Sequence, residues 1–235
     1  MQALRINAIC VFDDAIEFCG PAVHKHVPLL LATAMQCMAD AGNATLRQCS
    51  VYGIAKIAEF AQDQIRPYLG KVVPALVAVI SAPGARGEDY DDECATENAI
   101  SALGKVCAFH GQHVDLDALL PMWLQCLPLT ADCMEAKVMH AQLLTYVEAG
   151  EPRIVSAATL KPLIRAIGGV LSGGDTGDME DESEAQELVE DEIRPKFGAA
   201  LQKLSGAFPQ QAMDEAFKEL TPLQQSAVQV AVAQQ

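Results

Sequence analysis

An apolar-proline-apolar step recurs along the chain at nearly constant spacing. Its prolines are Pro28, Pro74, Pro121 and Pro162, which lie 46, 47 and 41 residues apart; the last has Lys161 before its proline. Two helical patterns of apolar residues fall within each period. A repeat of roughly 40–47 residues with two helices is typical of stacked helix pairs. Such an array exposes an extended surface, so the spacing points to a binding face rather than a catalytic pocket.

The composition supports helices throughout. Hydrophobic residues make up 51% of the 235 residues but aromatic residues only 5%, and runs of β-branched residues are short. This balance favours helices that pack through small side chains. We therefore expect an all-α fold, a right-handed α-α superhelix built as a HEAT-repeat solenoid.

Apolar spacing and helix-boundary residues locate the expected helices. Pro28 falls in the first turn of its helix, where a missing N–H is tolerated. Pro74, Pro121 and Pro162 are expected inside their helices, where each removes a backbone hydrogen bond and bends the axis. The predicted helices span about 3–19, 26–39, 44–61, 66–80, 92–109, 116–127, 133–149, 156–171, 196–206, 210–219 and 222–233.

Three segments are expected along the chain: HEAT repeats over 1–172, an acidic loop or helix over 173–194, and capping helices over 195–235. The first helix resembles the helices that follow the proline-bearing ones, so we interpret it as a half repeat and the chain as a piece of a longer array. Residues 173–194 hold ten carboxylates against one arginine, or −9 of the formal net charge of −15. This segment is either a solvated acidic loop or a surface that steers a basic partner.

Charge and hydropathy exclude two classes of partner. A net charge of −15 without a Lys/Arg cluster repels a phosphate backbone, so we expect no nucleic acid partner. The longest apolar stretch, Val72 to Ile80, has nine residues and contains a proline. A spanning helix needs roughly 20, so we expect no membrane insertion. A basic protein is the partner that this charge favours.

The residues that could bind a metal or act in catalysis lack the further ligands and motifs that such sites need. His24 and His26, and Cys107 with His110 and His113, have metal-like spacing, but neither group has a second pair of ligands nearby. Nucleophile and phosphate-binding motifs are missing. Gly168-Gly169 and Gly173-Gly174 are followed by no lysine and are interpreted together as a helix end and loop. The eight cysteines are expected as reduced core residues. We predict no metal, no cofactor and no enzymatic activity.

Acidic residues on the second helix of each pair are the candidate binding residues. Asp13, Asp14 and Glu17 crowd one and a half turns of the first helix, and Glu59 and Glu97 lie on the equivalent helices of later repeats. Like charges at i,i+4 cost a few tenths of a kcal/mol, which a basic partner would offset. The alternative is a merely solvated face.

Several stretches along the chain share one pattern with a known family. The stretches are Val11–Ala22, Leu46–Gln48 with Tyr52–Ile54, Ala95–Lys105, Leu120–Leu124 with Leu127–Leu129, and Leu220–Gln225. Together they resemble the C-terminal HEAT repeats of importin beta-type nuclear transport receptors, and most of all the beta-three branch, also called importin five. The resemblance spans nearly the whole chain in the same order; residues 173–194 and Ala82–Asp92 depart from the pattern.

The resemblance implies a role in nuclear protein import. Receptors of this family bind cargo with a nuclear localisation signal on an acidic concave face, release it when GTP-bound Ran binds, and dock Phe-Gly nucleoporin repeats between outer helices. Their main Ran contacts lie in N-terminal repeats, which this stretch does not resemble. The implied location is the cytoplasm, the nucleus and the nuclear pore complex. The alternative is a HEAT-repeat scaffold or adaptor, such as a phosphatase regulatory subunit.

Overall fold

The computed structural model describes residues 2–86, 89–173 and 187–234, and all regular elements in these ranges are helical. The predicted all-α solenoid fold is therefore confirmed. The α-helices are α1 (Gln2–Cys19), α2 (Val27–Cys37), α3 (Ala44–Phe60), α4 (Gln62–Ile65), α5 (Leu69–Ile80), α6 (Tyr90–His110), α7 (Leu116–Gln125), α8 (Cys133–Ala149), α9 (Leu160–Ser172), α10 (Arg194–Ala207), α11 (Gln210–Lys218) and α12 (Pro222–Ala233).

Short polar side chains define where many of these helices begin. Asn43 Oδ1 accepts a hydrogen bond from Leu46 N at the start of α3, and Asp132 does the same for Glu135 N at α8. Thr221 and Gln224 form a reciprocal capping box at α12. These bonds satisfy backbone donors that have no partner within the helix.

Two of the three prolines predicted inside helices lie there. Pro74 is inside α5 and Pro121 inside α7. The prediction for Pro162 was wrong, because α9 begins at Leu160 and places Pro162 in its first turn. The N–H groups of a first turn have no helical acceptor, so Pro162 removes no backbone bond from α9. Pro28 occupies the first turn of α2, as predicted.

The chain divides into two compact units, Met1–Leu116 and Asp117–Gln235, called here the N-terminal and C-terminal units. In the N-terminal unit α3 packs between α1 and α6, while α2 packs on α3 and α5 packs on α6. The helices α1, α3 and α6 thus form one layer, flanked by the proline-bearing α2 and α5. This is the arrangement of stacked helix pairs, with α1 in the layer of the second helices.

In the C-terminal unit α9 packs against α11 and α12, and α10 packs against α8 and α12. Gly168 and Gly169 lie in this packing, within the last two turns of α9. A Cβ at Gly169 would stand 2.6 Å from Pro128 Cγ, and one at Gly168 would stand 3.1 Å from Leu220 Cδ2. The glycine pair allows close packing against α9.

A buried histidine fixes the segment that leads into α10. Leu129 N donates a hydrogen bond to His140 Nε2 at 3.1 Å, and His140 Nδ1 lies 2.7 Å from Leu188 O. These partners require the neutral tautomer with the proton on Nδ1. Burial lowers the pKa of His140 to about 4, so the imidazole stays neutral at physiological pH.

Most of the predicted acidic segment, residues 174–186, lies outside the described residues. Of the rest, Leu188 and Val189 are fully buried, and Lys137 Nζ lies 3.2 Å from Glu190 Oε1. The division into repeats, acidic segment and capping helices stays a prediction.

Candidate partner-binding surfaces

Two ion pairs join the three stacked helices of the N-terminal unit. Glu17 of α1 lies 2.6 Å from Lys56 Nζ of α3, and Glu59 of α3 lies 3.4 Å from Lys105 Nζ of α6. Both lysines are almost fully buried, while the acids are partly exposed. Each acid thus pairs with the lysine of the next helix, which fixes the lateral register of the stack.

Lys56 is held by aromatic rings as well as by Glu17. Its Nζ lies 4.9 Å from the ring centroid of Tyr52 and 5.5 Å from that of Phe60. Burial alone would lower the pKa of Lys56, but the hydrogen bonds to Glu17 and Tyr52 raise it above its usual value. Lys56 therefore stays charged, because ring faces attract cations and the carboxylate neutralises it.

A row of phenylalanines accompanies the ion pairs. Phe18, Phe60 and Phe109 lie at or next to the C-terminal ends of α1, α3 and α6 and are 77%, 39% and 42% exposed. Phe18 follows Glu17 as Phe60 follows Glu59, and Phe109 lies one turn after Lys105. We call the face formed by the two ion pairs and the three phenylalanines the ladder face.

Asp13 is not on the surface, although it belongs to the predicted acidic cluster. It is only 2% exposed and points at Gly53 of α3, where a Cβ would stand 2.3 Å from Asp13 Oδ1. This oxygen accepts no hydrogen bond from the described residues. Burial, and secondarily the charge of Asp14, raise the pKa of Asp13 to about 8.

The other four predicted binding acids fall into three environments. Asp14 is exposed to solvent. Glu17 and Glu59 lie on the ladder face in their ion pairs. Glu97 is fully buried within α6, where Arg86 lies 3.7 Å from it. The structure brings Glu17 and Glu59 onto one face and places Asp13 and Glu97 in the interior; the role of all five in partner binding stays a prediction.

A second candidate surface is an apolar groove between α2 and α5, in the layer of proline-bearing helices. Its volume is about 460 Å³. Sequence patterns did not reveal the groove. The only signal is the spacing of Ala75 and Ala78 in α5 and Ala82 just after it, which places small side chains on one face of the helix. The apolar side chains that line it are Met35, Met38, Ala75, Ala78, Val79 and Ala82.

One end of this groove is polar. Arg47 and Asp92 form an ion pair there, and Arg47 Nη1 also donates to Asp40 O at 2.7 Å. The Thr96 hydroxyl donates to Ala85 O. The backbone around this end is therefore fixed by side-chain hydrogen bonds, while the methionines among the lining residues adapt readily to a ligand.

His110, one of the residues predicted not to bind metal, is held in the interior of the N-terminal unit. His110 Nε2 lies 2.9 Å from Ala58 O, and burial lowers the pKa of His110. Within residues 2–86, 89–173 and 187–234, no group of three His, Cys, Asp or Glu side chains could hold a metal ion. None of the helices in these ranges is both long and apolar enough to cross a membrane.

Comparison with known proteins finds similarity to an importin homolog. The Dictyostelium discoideum protein named "Probable importin-5 homolog" is 30% identical to this chain over 132 residues, which is 55% of the chain and 12% of that protein. The chain therefore spans a small part of the length of this relative. The match supports the resemblance to an importin over about half of the chain. No protein-family model matches the sequence.

Proposed function

We propose that this chain is a C-terminal segment of an importin beta-type nuclear import receptor, of the beta-three branch, and that it acts by binding and not by catalysis. The groove between α2 and α5 is the observation that carries the proposal, together with the similarity to the importin-5 homolog. In this role the segment binds nucleoporins and protein cargo during Ran-dependent import. It then works in the cytoplasm, the nucleus and the nuclear pore complex.

The groove suits the phenylalanine of a Phe-Gly repeat. A pocket of about 460 Å³ falls within the range of roughly 300–1,000 Å³ that holds compact ligands. Its walls are methionine and alanine side chains, which offer an apolar lining to an aromatic ring and space for the glycine backbone beside it. It lies between two helices of one layer, and the resemblance implies docking of Phe-Gly repeats between helices of one layer.

A substitution that fills the groove tests this site. Ala78→Trp places an indole in the groove, and we expect it to weaken binding of a Phe-Gly repeat peptide by roughly tenfold or more. Ala32→Trp is the matched control, because Ala32 is exposed on α2 and does not line the groove. Fluorescence anisotropy with a labelled peptide measures both affinities, and circular dichroism checks that both variants are folded.

The possible outcomes test the groove as the binding site separately from nucleoporin binding as a function. Equal binding by both variants would show that Phe-Gly peptides bind elsewhere on the chain. Failure of the unmodified chain to bind the peptide at all would contradict the nucleoporin role and favour the HEAT-repeat scaffold.

Basic cargo is proposed to meet the acids around the ladder face. Because Lys56 and Lys105 already neutralise Glu17 and Glu59, the exposed Asp14 is the best single position to test. We expect Asp14→Lys to weaken binding of a lysine-rich localisation peptide about two- to fivefold at low salt. Asp214→Lys on α11 makes the same change at another exposed position. If the two variants bind equally well, Asp14 does not contact the peptide.

A further inference from the structure

Two cysteines of neighbouring helices stand side by side in the N-terminal unit. Cys10 Sγ of α1 lies 3.5 Å from Cys49 Sγ of α3, although 39 residues separate them in sequence. A disulfide bond has an S–S distance of about 2.0 Å, so the two sulfurs are about 1.5 Å from bonding distance. The helix packing, and not the sequence spacing, creates this pair.

The surroundings give the two thiols different access to solvent. Cys10 is exposed, whereas Cys49 is partly buried and packs against the cluster of Ile9, Cys37 and Leu46. The sequence prediction that all eight cysteines are core residues was wrong for Cys10 and for Cys19, which are exposed. A dissolved oxidant therefore reaches Cys10 more readily than Cys49.

The surroundings of Cys49 also affect its protonation. Burial raises the pKa of Cys49 to about 12, with smaller contributions from Cys10 and from Asp13. A dissolved peroxide reacts with the thiolate and not with the thiol, so Cys49 resists direct oxidation. It can still react with an oxidised neighbour that is held against it.

We propose that Cys10 and Cys49 are a reversible redox-modification site, at which a peroxide converts the two thiols into a disulfide between α1 and α3. In the first step the Cys10 thiolate attacks a peroxide oxygen. The O–O bond breaks, an S–O bond forms, and for hydrogen peroxide the leaving hydroxide takes up a proton as water. Cys10 is then a sulfenic acid, oxidised by two electrons.

In the second step the Cys49 sulfur attacks the Cys10 sulfur. The S–S bond forms, the S–O bond breaks, and the departing hydroxide leaves as water with the proton of the Cys49 thiol. The sum consumes one hydrogen peroxide and two thiols and yields one disulfide and two water molecules. A dithiol reductant restores the two thiols by exchange.

The disulfide would tie α1 to α3 beside the ladder face. Glu17 of α1 and Lys56 of α3 already join the same two helices further along. A covalent bond at Cys10 and Cys49 would hold this pair of helices together even where the ion pair is broken by salt. The site therefore links the oxidation state of the surroundings to the rigidity of this face.

The experiment treats the full chain with hydrogen peroxide, blocks the remaining thiols and maps the peptides by mass spectrometry without reduction. We expect a cross-linked species in which Cys10 and Cys49 are joined with loss of two hydrogen atoms. Dithiothreitol should return it to the reduced mass. Cys19→Ser is the matched control, since it removes the other exposed thiol of α1 and should leave the cross-link intact.

Two variants test the order of the steps. In Cys49→Ser the sulfenic acid on Cys10 has no resolving thiol, so dimedone should label Cys10. In Cys10→Ser the same treatment should leave Cys49 unlabelled. The proposal is overturned if Cys10 and Cys49 stay reduced while Cys19 is oxidised, if Cys49 pairs with Cys37, or if Cys10 links only two separate chains.

Discussion

At the scale of single residues, Asp13 lies where a carboxylate is costly. The notch opposite Gly53 excludes solvent from the acid, and the neighbouring Asp14 adds a negative charge, while Lys56 offsets only part of the cost. A carboxyl group in such a place prefers its neutral form. The interface between α1 and α3 thus contains a group that resists ionisation near neutral pH.

This predicts a pH-dependent stability. The pKa of Asp13 is about 8 in the folded chain against 3.8 for an ordinary aspartate. Below about pH 4 the carboxyl group is neutral in both the folded and the unfolded chain, and its contribution to the unfolding free energy is complete. As the pH rises the unfolded chain loses the proton first, so this contribution declines, and it is lost above about pH 8. The contribution is of the order of a few kcal/mol. We expect Asp13→Asn to flatten the fall of the unfolding free energy between pH 5 and pH 8, measured by urea denaturation.

The control for this measurement is Asp63→Asn, because Asp63 is exposed and has only a surface ion pair with Arg66. That variant should keep the slope of the unmodified chain. Identical slopes for Asp13→Asn and the unmodified chain would refute an elevated pKa for Asp13.

Gly53 gives a second prediction at this scale. In Gly53→Ala the new methyl group would stand 2.3 Å from Asp13 Oδ1, so the helices must shift. We expect a loss of about 1–3 kcal/mol of unfolding free energy. In an Asp13→Ala background the clash disappears, and the same change should be neutral or stabilising by up to about 1 kcal/mol. Additive effects of the two changes would show that Gly53 and Asp13 do not interact.

Sequence patterns identified the acids of these helices but not their environments. Asp13 was expected beside Asp14 on a solvated or partner-binding face, yet the packing of α3 encloses it. Glu97 is buried because α6 is covered on nearly all sides from Cys94 to Cys107. Both environments depend on contacts between helices distant in sequence, which the periodicity of one helix cannot report.

At the scale of elements, the periodicity located the helices well. Predicted and observed limits of α3, α8 and α12 agree within one residue. The helix expected over 66–80 differs, because α4 and a 3₁₀ turn at Arg66–Tyr68 precede α5. Pro67 lies in this 3₁₀ turn, within the range that was predicted as a single helix. Pattern alone does not distinguish the two helix types.

Two helical glycines of the C-terminal unit, one in α9 and one in α10, have different surroundings and are predicted to respond oppositely to substitution by alanine. Gly169→Ala would bring a methyl group to 2.6 Å from the Pro128 ring, so we expect a loss of about 1–3 kcal/mol of unfolding free energy. Gly206→Ala in α10 meets open space and should stabilise by up to about 1 kcal/mol through its helix propensity. Equal thermal shifts of the two variants would refute close packing at Gly169.

At the scale of the whole molecule, the division into two units predicts that the N-terminal unit folds alone. A fragment of residues 1–115 keeps α1 to α6 and their mutual contacts, so we expect a cooperative thermal transition by circular dichroism. A fragment of residues 1–61 lacks α6, which covers one side of α3, and should be largely unfolded. Cooperative unfolding of the shorter fragment would contradict the role of α6.

The ion pairs between α1, α3 and α6 also give the stack a direction. When the three helices are aligned by their phenylalanines, the lysine stands four residues before the phenylalanine and the glutamate one residue before it. In α1 the glutamate is present as Glu17, but Asp14 stands at the lysine position. In α6 the lysine is present as Lys105, but Ala108 stands at the glutamate position. Only α3, of the three, has both members. A duplicated copy of residues 27–61, inserted after the first, would offer its own Lys56 to the preceding Glu59. For protein engineering, this makes α2 with α3 the natural module for lengthening the array.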